Sequence, residues 1–122
     1  AKRIVVGGPL NSQQVLEAYA EASLTIGASD FEGGPMSLQE GMRVGTPLVS
    51  YPSSYLLLDY LPEVGYLAEE RSVEALTKQL RLAMGDDELR AKKSALCVEK
   101  SSVFSPEYIV RCWEKVFESI HR

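Results

Sequence analysis

The sequence has few of the residues that build metal sites and nucleophilic triads. Its 122 residues include one histidine, His121, and two cysteines, Cys97 and Cys112. A structural zinc site needs four ligands, usually Cys or His, and a Ser-His-Asp or Cys-His triad needs a histidine held firmly in the fold. The sequence therefore predicts no metal site and no triad hydrolase, and both cysteines are expected to be reduced residues on two different helices.

Positive charge and long apolar runs are also scarce. Thirteen Lys and Arg residues against 17 Asp and Glu give a formal net charge of −4, which leaves no basic stripe for nucleic-acid phosphates. No apolar run approaches the roughly 18–20 residues that cross a bilayer, and no signal peptide is recognisable. We expect no nucleic-acid partner, no transmembrane segment and a cytoplasmic location, with peripheral association at the inner membrane face as an open alternative.

The sequence does contain an alternation of apolar, strand-like runs and helical patterns. Strands are predicted at 4–6, 24–27, 48–51 and 64–67, with a loop holding at most a short helix at 52–62. Helices are predicted at 13–23, 35–44, 72–84, from 86 or 87 onward, and at 105–120. Strands that are apolar throughout and alternate with helices indicate a parallel sheet covered on both faces. The expected fold is α/β, a Rossmann-like three-layer α/β/α arrangement over 1–122 as a single domain, with about four parallel strands and a helical C-terminal end.

Two groups of aromatic and apolar residues allow more than one interpretation. The last predicted helix carries an apolar stripe, for which core packing is the expected role and lipid contact the second alternative: Val110, Trp113, Val116, Phe117 and Ile120. Three tyrosines, Tyr51, Tyr55 and Tyr60, follow the third predicted strand. Packing under the loop is the preferred interpretation, and lining a base or acceptor pocket is the alternative. Ser53 and Ser54 are candidates for contact with phosphate or sugar.

One loop combines three features that suit a single ligand. Gly33 and Gly34 let a backbone approach a ligand closely and adopt dihedrals closed to other residues. The helix that begins at Pro35 presents free N–H groups and a positive dipole end, which suit phosphate. Glu32 and Glu40 flank this helix start, and carboxylates repel phosphate but accept hydrogen bonds from sugar hydroxyls. A nucleotide-sugar has hydroxyls on both sides of its diphosphate, so this combination favours a nucleotide-sugar ligand.

The same segment resembles a known family. Residues 31–42, FEGGPMSLQEGM, followed by Gly45-Thr46-Pro47, are similar to the signature of the group-1/family-4 glycosyltransferases: a Glu, seven residues, a Glu and a Gly-x-Pro turn before a strand. Residues 17–23, 63–67 and 104–105 resemble further segments of that family in the same order. The resemblance implies the distal part of the second, donor-binding domain of a retaining glycosyltransferase with the two-domain GT-B fold, of the kind that assembles polysaccharides or glycolipids.

The resemblance also implies residue roles. Glu32 corresponds to the Glu that holds donor-sugar hydroxyls and is needed for transfer, and Glu40 to the Glu that takes the ribose hydroxyls. The residues between them correspond to those that contact the sugar and the distal phosphate: Gly33, Gly34, Met36, Ser37 and Leu38. Family members generally need no metal or other cofactor in the site, and the absence of an Asp-x-Asp pair agrees with that expectation.

The sequence departs from the family pattern in two ways. Gly34-Pro35 stands where the family usually has a bulky residue and a glycine, and Lys2 and Arg3 do not match the upstream basic pair that grips the diphosphate. The domain that binds a sugar or lipid-linked acceptor is also outside this sequence, so we expect the chain alone to be inactive in transfer. Two alternatives remain: a non-catalytic nucleotide-sugar-binding module, and a Rossmann-like interaction domain in which the spacing of the two glutamates is accidental.

Overall fold

The structure is a computed structural model and describes residues 3–121. Lys2, which was compared above with the basic pair of the family, lies outside the described residues. Helices and strands alternate through the first two thirds of the chain, and helices follow. The elements are α1 (Ser12–Glu21), β1 (Thr25–Gly27), α2 (Met36–Val44), β2 (Leu48–Ser50), α3 (Tyr55–Val64), β3 (Tyr66–Leu67), α4 (Val73–Gly85), α5 (Asp87–Lys100), a 3₁₀ turn (Ser101–Phe104) and α6 (Pro106–Ile120).

The three strands form a parallel sheet in the order β1-β2-β3. The central strand is buried on both faces, since Leu48 packs in one apolar cluster with residues of α2, α3 and α5. Val49 points to the other face and packs with Tyr66 and with Ala83 of α4. A strand covered on both sides is what its continuous apolar run predicts. The Rossmann-like α/β fold expected from the sequence is therefore confirmed.

Local capping signals placed most helix ends correctly. Asn11 and Gln14 form a reciprocal capping box at the start of α1. The side chains of Ser72, Asp86 and Ser105 cap α4, α5 and α6, and these helices begin close to the predicted positions. At the end of α2, Gly45 has a φ of +81°, the left-handed conformation that glycine adopts without penalty.

The strand predicted at residues 4–6 is wrong. Ile4, Val5 and Val6 are 79, 87 and 92% exposed and do not pair with the sheet, so the described sheet has three strands rather than about four. The tendency of β-branched residues to form strands reflects packing on a half-buried pleated surface. No described element covers these side chains, so the local pattern is not realised as a strand.

The segment expected to be mostly loop is instead α3, a ten-residue helix. Its buried side chains Leu57, Leu61 and Val64 follow helical spacing, and this periodicity outweighs the helix-breaking tendency of Pro62, which lies in the last turn. The strand predicted at 64–67 consequently begins two residues later. Tyr60 packs against Phe104 with ring centroids 5.3 Å apart, so its role is structural as preferred from the sequence.

The apolar stripe of α6 was predicted to pack in the core, and this prediction is wrong. None of its residues is buried, and Trp113 and Phe117 are 56 and 58% exposed, stacked on each other at 5.7 Å. Helical periodicity predicts an apolar face but does not say what covers it. Across residues 3–121, no helix combines the length and the apolar character required to traverse a bilayer.

Candidate functional site

The segment singled out from the sequence lies where three loops meet at one edge of the sheet. Residues 28–35 link β1 to α2, residues 51–54 link β2 to α3, and residues 68–72 link β3 to α4. All three loops follow the carboxyl ends of parallel strands, which is the edge where open α/β sheets bind ligands. We therefore take this edge as the candidate site.

Two long-range hydrogen bonds hold the first of these loops. The backbone N–H of Glu32 donates to the carbonyl oxygen of Ser53 at 2.9 Å. The Arg71 guanidinium donates from Nη1 to the carbonyl oxygen of Asp30 at 3.0 Å. The loop is thus tied to both neighbouring loops, so the half-buried Glu32 has a defined position although its backbone is irregular.

The N-terminus of α2 differs from those of the other α-helices in the described chain. Side-chain oxygens cap the first turns of α1, α3, α4, α5 and α6. The N-cap of α2 is Pro35, which makes no side-chain cap hydrogen bond. The N–H of Leu38 donates to the Pro35 carbonyl at 3.2 Å, and those of Met36 and Ser37 precede the first bond within the helix. The N–H groups of Met36 and Ser37, together with the positive end of the helix dipole, make the turn suitable for an anion.

Glu40 lies on one side of this uncapped turn. It is half-buried and borders a cavity of about 350 Å³ between α1 and α2, which is also lined by Leu10, Ser12, Val15, Leu16, Met36 and Arg43. Burial and, to a lesser extent, the negative charge of Glu40 raise the pKa of Tyr19. The cavity thus combines apolar walls with one carboxylate and one guanidinium, a composition that suits a ligand with both an apolar ring and hydroxyl groups.

Glu32 borders a second cavity, of about 420 Å³, between the β1–α2 loop and the start of α3. The other lining residues are Phe31, Gly33, Pro52, Ser53, Ser54, Tyr55 and Leu58. Gly33 lines this cavity and Met36 lines the one beside Glu40, so the uncapped turn lies between the two. Of the predicted residues, Glu32 and Gly33 line one cavity and Met36 and Glu40 line the other. The remaining three line neither: Gly34, Ser37 and Leu38.

The two glycines of the segment do not have the dihedrals expected from the sequence. Among described glycines only Gly8 and Gly45 have positive φ, so Gly33 and Gly34 adopt backbone angles open to other residues. A Cβ built on either would meet nothing within 4 Å. Neither the backbone conformation nor the surrounding protein therefore requires glycine at these positions.

Sequence reasoning missed some of the polar residues at the site. Arg71 reaches Asp30 from 41 positions away, a separation at which no local pattern gives a signal. Arg43 lies three residues after Glu40 on α2, a spacing that places both on one helix face and was available from the sequence. Leu38, in contrast, is 1% exposed and belongs to the core, and its N–H is bonded to the Pro35 carbonyl, so the structure does not offer it to a ligand as the sequence predicted.

Acidic, histidine and cysteine side chains do not cluster at this edge. Within residues 3–121, no group of three or more of them is placed to hold a metal ion. Both cysteines are free, with Cys97 buried on α5 and Cys112 exposed on α6. Burial raises the pKa of Cys97 to about 11, which leaves it as an unreactive thiol that donates to the Val64 carbonyl.

Comparison with known proteins gives a consistent result. The family model described as glycosyl transferases group 1 matches residues 1–95. An exopolysaccharide phosphotransferase of Streptomyces coelicolor is 33% identical over 115 residues, which cover 89% of this chain and 12% of that protein. The amylovoran biosynthesis glycosyltransferase AmsD of Erwinia amylovora is 24% identical over 86% of this chain and 30% of its own length. An uncharacterized glycosyltransferase of Haemophilus influenzae is 30% identical over 82% of this chain and 27% of its own length.

Proposed function

The chain belongs to the group 1 glycosyl transferases, and from this premise we propose that it is the donor-binding part of a retaining glycosyltransferase that uses a nucleoside-diphosphate sugar. The uncapped N-terminus of α2 between two carboxylate cavities carries this proposal. In the proposed arrangement the N–H groups of Met36 and Ser37 take the distal phosphate. Glu40 accepts the ribose hydroxyls and Glu32 those of the donor sugar, while the open space at Gly33 and Gly34 admits the ligand.

The proposed binding mode accounts for the charges at the site. Two carboxylates beside a diphosphate are unfavourable unless each accepts hydrogen bonds from hydroxyl groups, and such charge-assisted bonds contribute roughly 1.5–3 kcal/mol each. Placing one carboxylate in each cavity separates both from the helix N-terminus, where the phosphate charge is favoured. A nucleoside monophosphate without a sugar would leave Glu32 without such a donor, so the diphosphate sugar fits both cavities better.

In the proposed reaction the oxygen of an acceptor hydroxyl forms a bond with the anomeric carbon on the face that the diphosphate leaves. The bond from that carbon to the phosphate oxygen breaks, and the hydroxyl proton ends on the departing diphosphate. The electron pair also goes to the diphosphate, and its negative charge is stabilised by the dipole and N–H groups of α2, an electrostatic contribution to catalysis. No step in this scheme requires a metal ion or other cofactor.

The chain spans 12, 30 and 27% of the lengths of the three relatives, so the activity of a whole protein is part of the proposal. We propose that a sugar or lipid-linked acceptor binds another domain and that this chain alone does not catalyse transfer. Two relatives have names that refer to polysaccharides, which supports a polysaccharide intermediate as the acceptor. A cytoplasmic location, with or without contact with the membrane face, belongs to the same proposal.

The test uses the intact protein, meaning this chain together with the acceptor-binding domain proposed above. Ligand-observed NMR is recorded with UDP-, GDP- and ADP-sugars on the wild type and on Glu40→Ala. One base should bind, and its affinity should fall about tenfold or more in the variant through loss of a charge-assisted bond. Glu99→Ala, which removes an exposed carboxylate of α5, is the matched control. Equal affinity in wild type and Glu40→Ala would remove the ribose role. Absence of binding by every nucleotide-sugar would overturn the proposal in favour of an interaction domain.

Product analysis separates transfer from simple binding. With donor and a glycan acceptor, sugar transfer releases the nucleoside diphosphate, whereas transfer of a sugar phosphate would release the nucleoside monophosphate. The second outcome is relevant because one relative is named a phosphotransferase. The anomeric configuration of the product, read from its NMR coupling constant, tests retention. Binding without either product would identify the non-catalytic module.

A further inference from the structure

The cavity beside Glu32 has aromatic residues at its rim that none of the assigned roles uses. Phe31 is 83% exposed and Tyr55 is 87% exposed. The aromatic pairs among residues 3–121 are Tyr60 with Phe104 and Trp113 with Phe117, so the rings of Phe31 and Tyr55 pack on no other aromatic side chain there. Large exposed apolar groups beside a cavity indicate a binding surface.

The backbone holds both rings at the cavity. Tyr55 is the first residue of α3, where the Ser54 side chain caps the helix by accepting from the N–H of Leu57. Leu57 is 1% exposed in the core, which fixes the rotation of α3 and leaves Tyr55 on the outside. Phe31 directly precedes Glu32, whose N–H is bonded to the Ser53 carbonyl. The hydrogen bond between the β1–α2 and β2–α3 loops therefore joins the loop that carries Phe31 to the segment that leads into Tyr55.

The polar groups of the cavity select among ligands. The Glu32 carboxylate repels phosphate but accepts from hydroxyl groups. Ser53 is 6% exposed and lines the same cavity, and its Oγ has no hydrogen-bond partner in the described part of the chain. This hydroxyl oxygen is itself buried, so Glu32 is the polar group that the cavity offers to a ligand. Pro52 and Leu58 complete a largely apolar wall.

Aromatic and aliphatic walls together with a carboxylate are complementary to a pyranose. Such a ring presents C–H groups on its faces, which pack on apolar and aromatic surfaces, and hydroxyl groups around its edge. The volume of about 420 Å³ lies within the range of about 300–1,000 Å³ typical of small-molecule sites.

We propose that Phe31 and Tyr55 determine saccharide specificity, by packing against the face of a pyranose whose hydroxyl groups donate to Glu32. This inference rests on the proposed function and extends it to residues outside the Glu-to-Glu segment. The pyranose has two possible sources, the glycosyl group of the donor and the terminal sugar of the acceptor. Both present the same chemistry to the cavity, and substrate kinetics separate them.

The experiment compares the intact wild type with three variants, Tyr55→Ala, Tyr55→Phe and Phe31→Ala. For each protein it measures kcat, the KM for the donor, the KM for the acceptor and the Kd of the free nucleoside diphosphate. Tyr55→Ala should raise KM for one saccharide substrate about 3- to 10-fold, the range expected for loss of an aromatic packing contact. Tyr55→Phe keeps the ring and should recover most of that loss. Tyr108→Ala, on α6, is the matched control, since this tyrosine is partly exposed and does not line the cavity.

The outcomes discriminate clearly. A rise in the donor KM identifies the glycosyl group of the donor as the occupant, and a rise in the acceptor KM identifies the acceptor sugar. Unchanged KM values for both substrates would overturn the inference. A weaker Kd for the nucleoside diphosphate in Tyr55→Ala would also overturn it, because the ring would then contact the nucleotide. Failure of the wild type to bind any nucleotide would instead overturn the proposed function.

Discussion

The two glutamates of the candidate site lie in different kinds of structure. Glu40 is on α2, where Leu38 and Met42 are each 1% exposed in the core. Glu32 is on an irregular loop whose position depends on hydrogen bonds from its own N–H to Ser53 and from Arg71 to Asp30. The comparison shows that the helix positions its carboxylate by packing, whereas the loop relies on a few polar contacts. Substitutions should therefore affect the two halves differently.

The largest effect is expected when the loop carboxylate is removed. In the intact protein, Glu32→Ala should lower kcat/KM roughly 10- to 150-fold, which corresponds to the loss of a charge-assisted hydrogen bond of roughly 1.5–3 kcal/mol. The thermal unfolding midpoint should remain close to that of the wild type because the backbone bond to Ser53 is kept. A kcat/KM value within twofold of the wild type would exclude Glu32 from substrate binding and transfer.

A glycine-to-alanine substitution on α2 and another on the β1–α2 loop should affect the stability of the protein differently. A Cβ added to Gly41 of α2 would lie 2.8 Å from the backbone oxygen of Thr46, whereas one added to Gly33 would meet nothing within 4 Å. Gly41→Ala should therefore destabilise the protein by about 1–3 kcal/mol, as overpacking does. Gly33→Ala should change stability by less than about 0.5 kcal/mol.

The measurement for this pair is chemical denaturation combined with donor titration. In the proposed binding mode the ligand approaches Gly33, so Gly33→Ala should weaken nucleotide-sugar binding while leaving the unfolding curve in place. If the alanine variant binds the donor as tightly as the wild type, the ligand does not approach this position. If Gly33→Ala and Gly41→Ala destabilise equally, the contrast between loop and helix is wrong.

A smaller effect is expected at Arg71, which acts on Glu32 only through the loop. Arg71→Ala removes one hydrogen bond, worth about 0.5–1.5 kcal/mol, so kcat should fall about 2- to 10-fold. Arg71→Lys, which retains a donor, should recover part of the loss, and the Kd of the free nucleoside diphosphate should not change. A weaker Kd for that nucleotide would instead place Arg71 in direct contact with the phosphates.

Divalent ions should change neither donor binding nor transfer, because neither the Glu32 loop nor the Glu40 helix is proposed to hold a metal ion. Carboxylates, backbone N–H groups and a helix dipole supply the proposed contacts, and the described residues include no metal-binding cluster. Donor binding and transfer by the intact protein should be the same in excess EDTA and in magnesium. A strict requirement for magnesium would show that the diphosphate is neutralised by a metal ion rather than by α2.

The contrast between packing and long-range contact also explains what the sequence could predict. The end of α2 after residue 44, the start of α4 at Ser72 and the apolar run of β2 were predicted because their causes are local. The contact of Arg71 with Asp30 was not predicted because it joins residues 41 positions apart. The periodic pattern that forms α3 was misread because Pro62 was taken as the end of the loop rather than as part of a last turn.

The apolar ends of the chain were misread for a related reason. Val6 and Trp113 belong to segments with clear strand and helix patterns, yet they are 92 and 56% exposed. Their patterns indicate an apolar face, but burial depends on an element that packs against it. The segment from Glu32 to Glu40 was singled out from the sequence, and Tyr55 was named there as an alternative pocket residue, whereas the cavity that Phe31 and Tyr55 share required the fold.

The most direct test of the account is a calorimetric titration of intact wild type, Glu32→Ala and Glu40→Ala with a nucleoside diphosphate and with its sugar conjugate. Glu40→Ala should weaken both ligands by the same factor, about tenfold or more, because both carry the ribose. Glu32→Ala should weaken only the sugar conjugate. If Glu32→Ala weakens the free nucleotide equally, or Glu40→Ala weakens neither ligand, the two carboxylates do not hold opposite ends of one nucleotide-sugar.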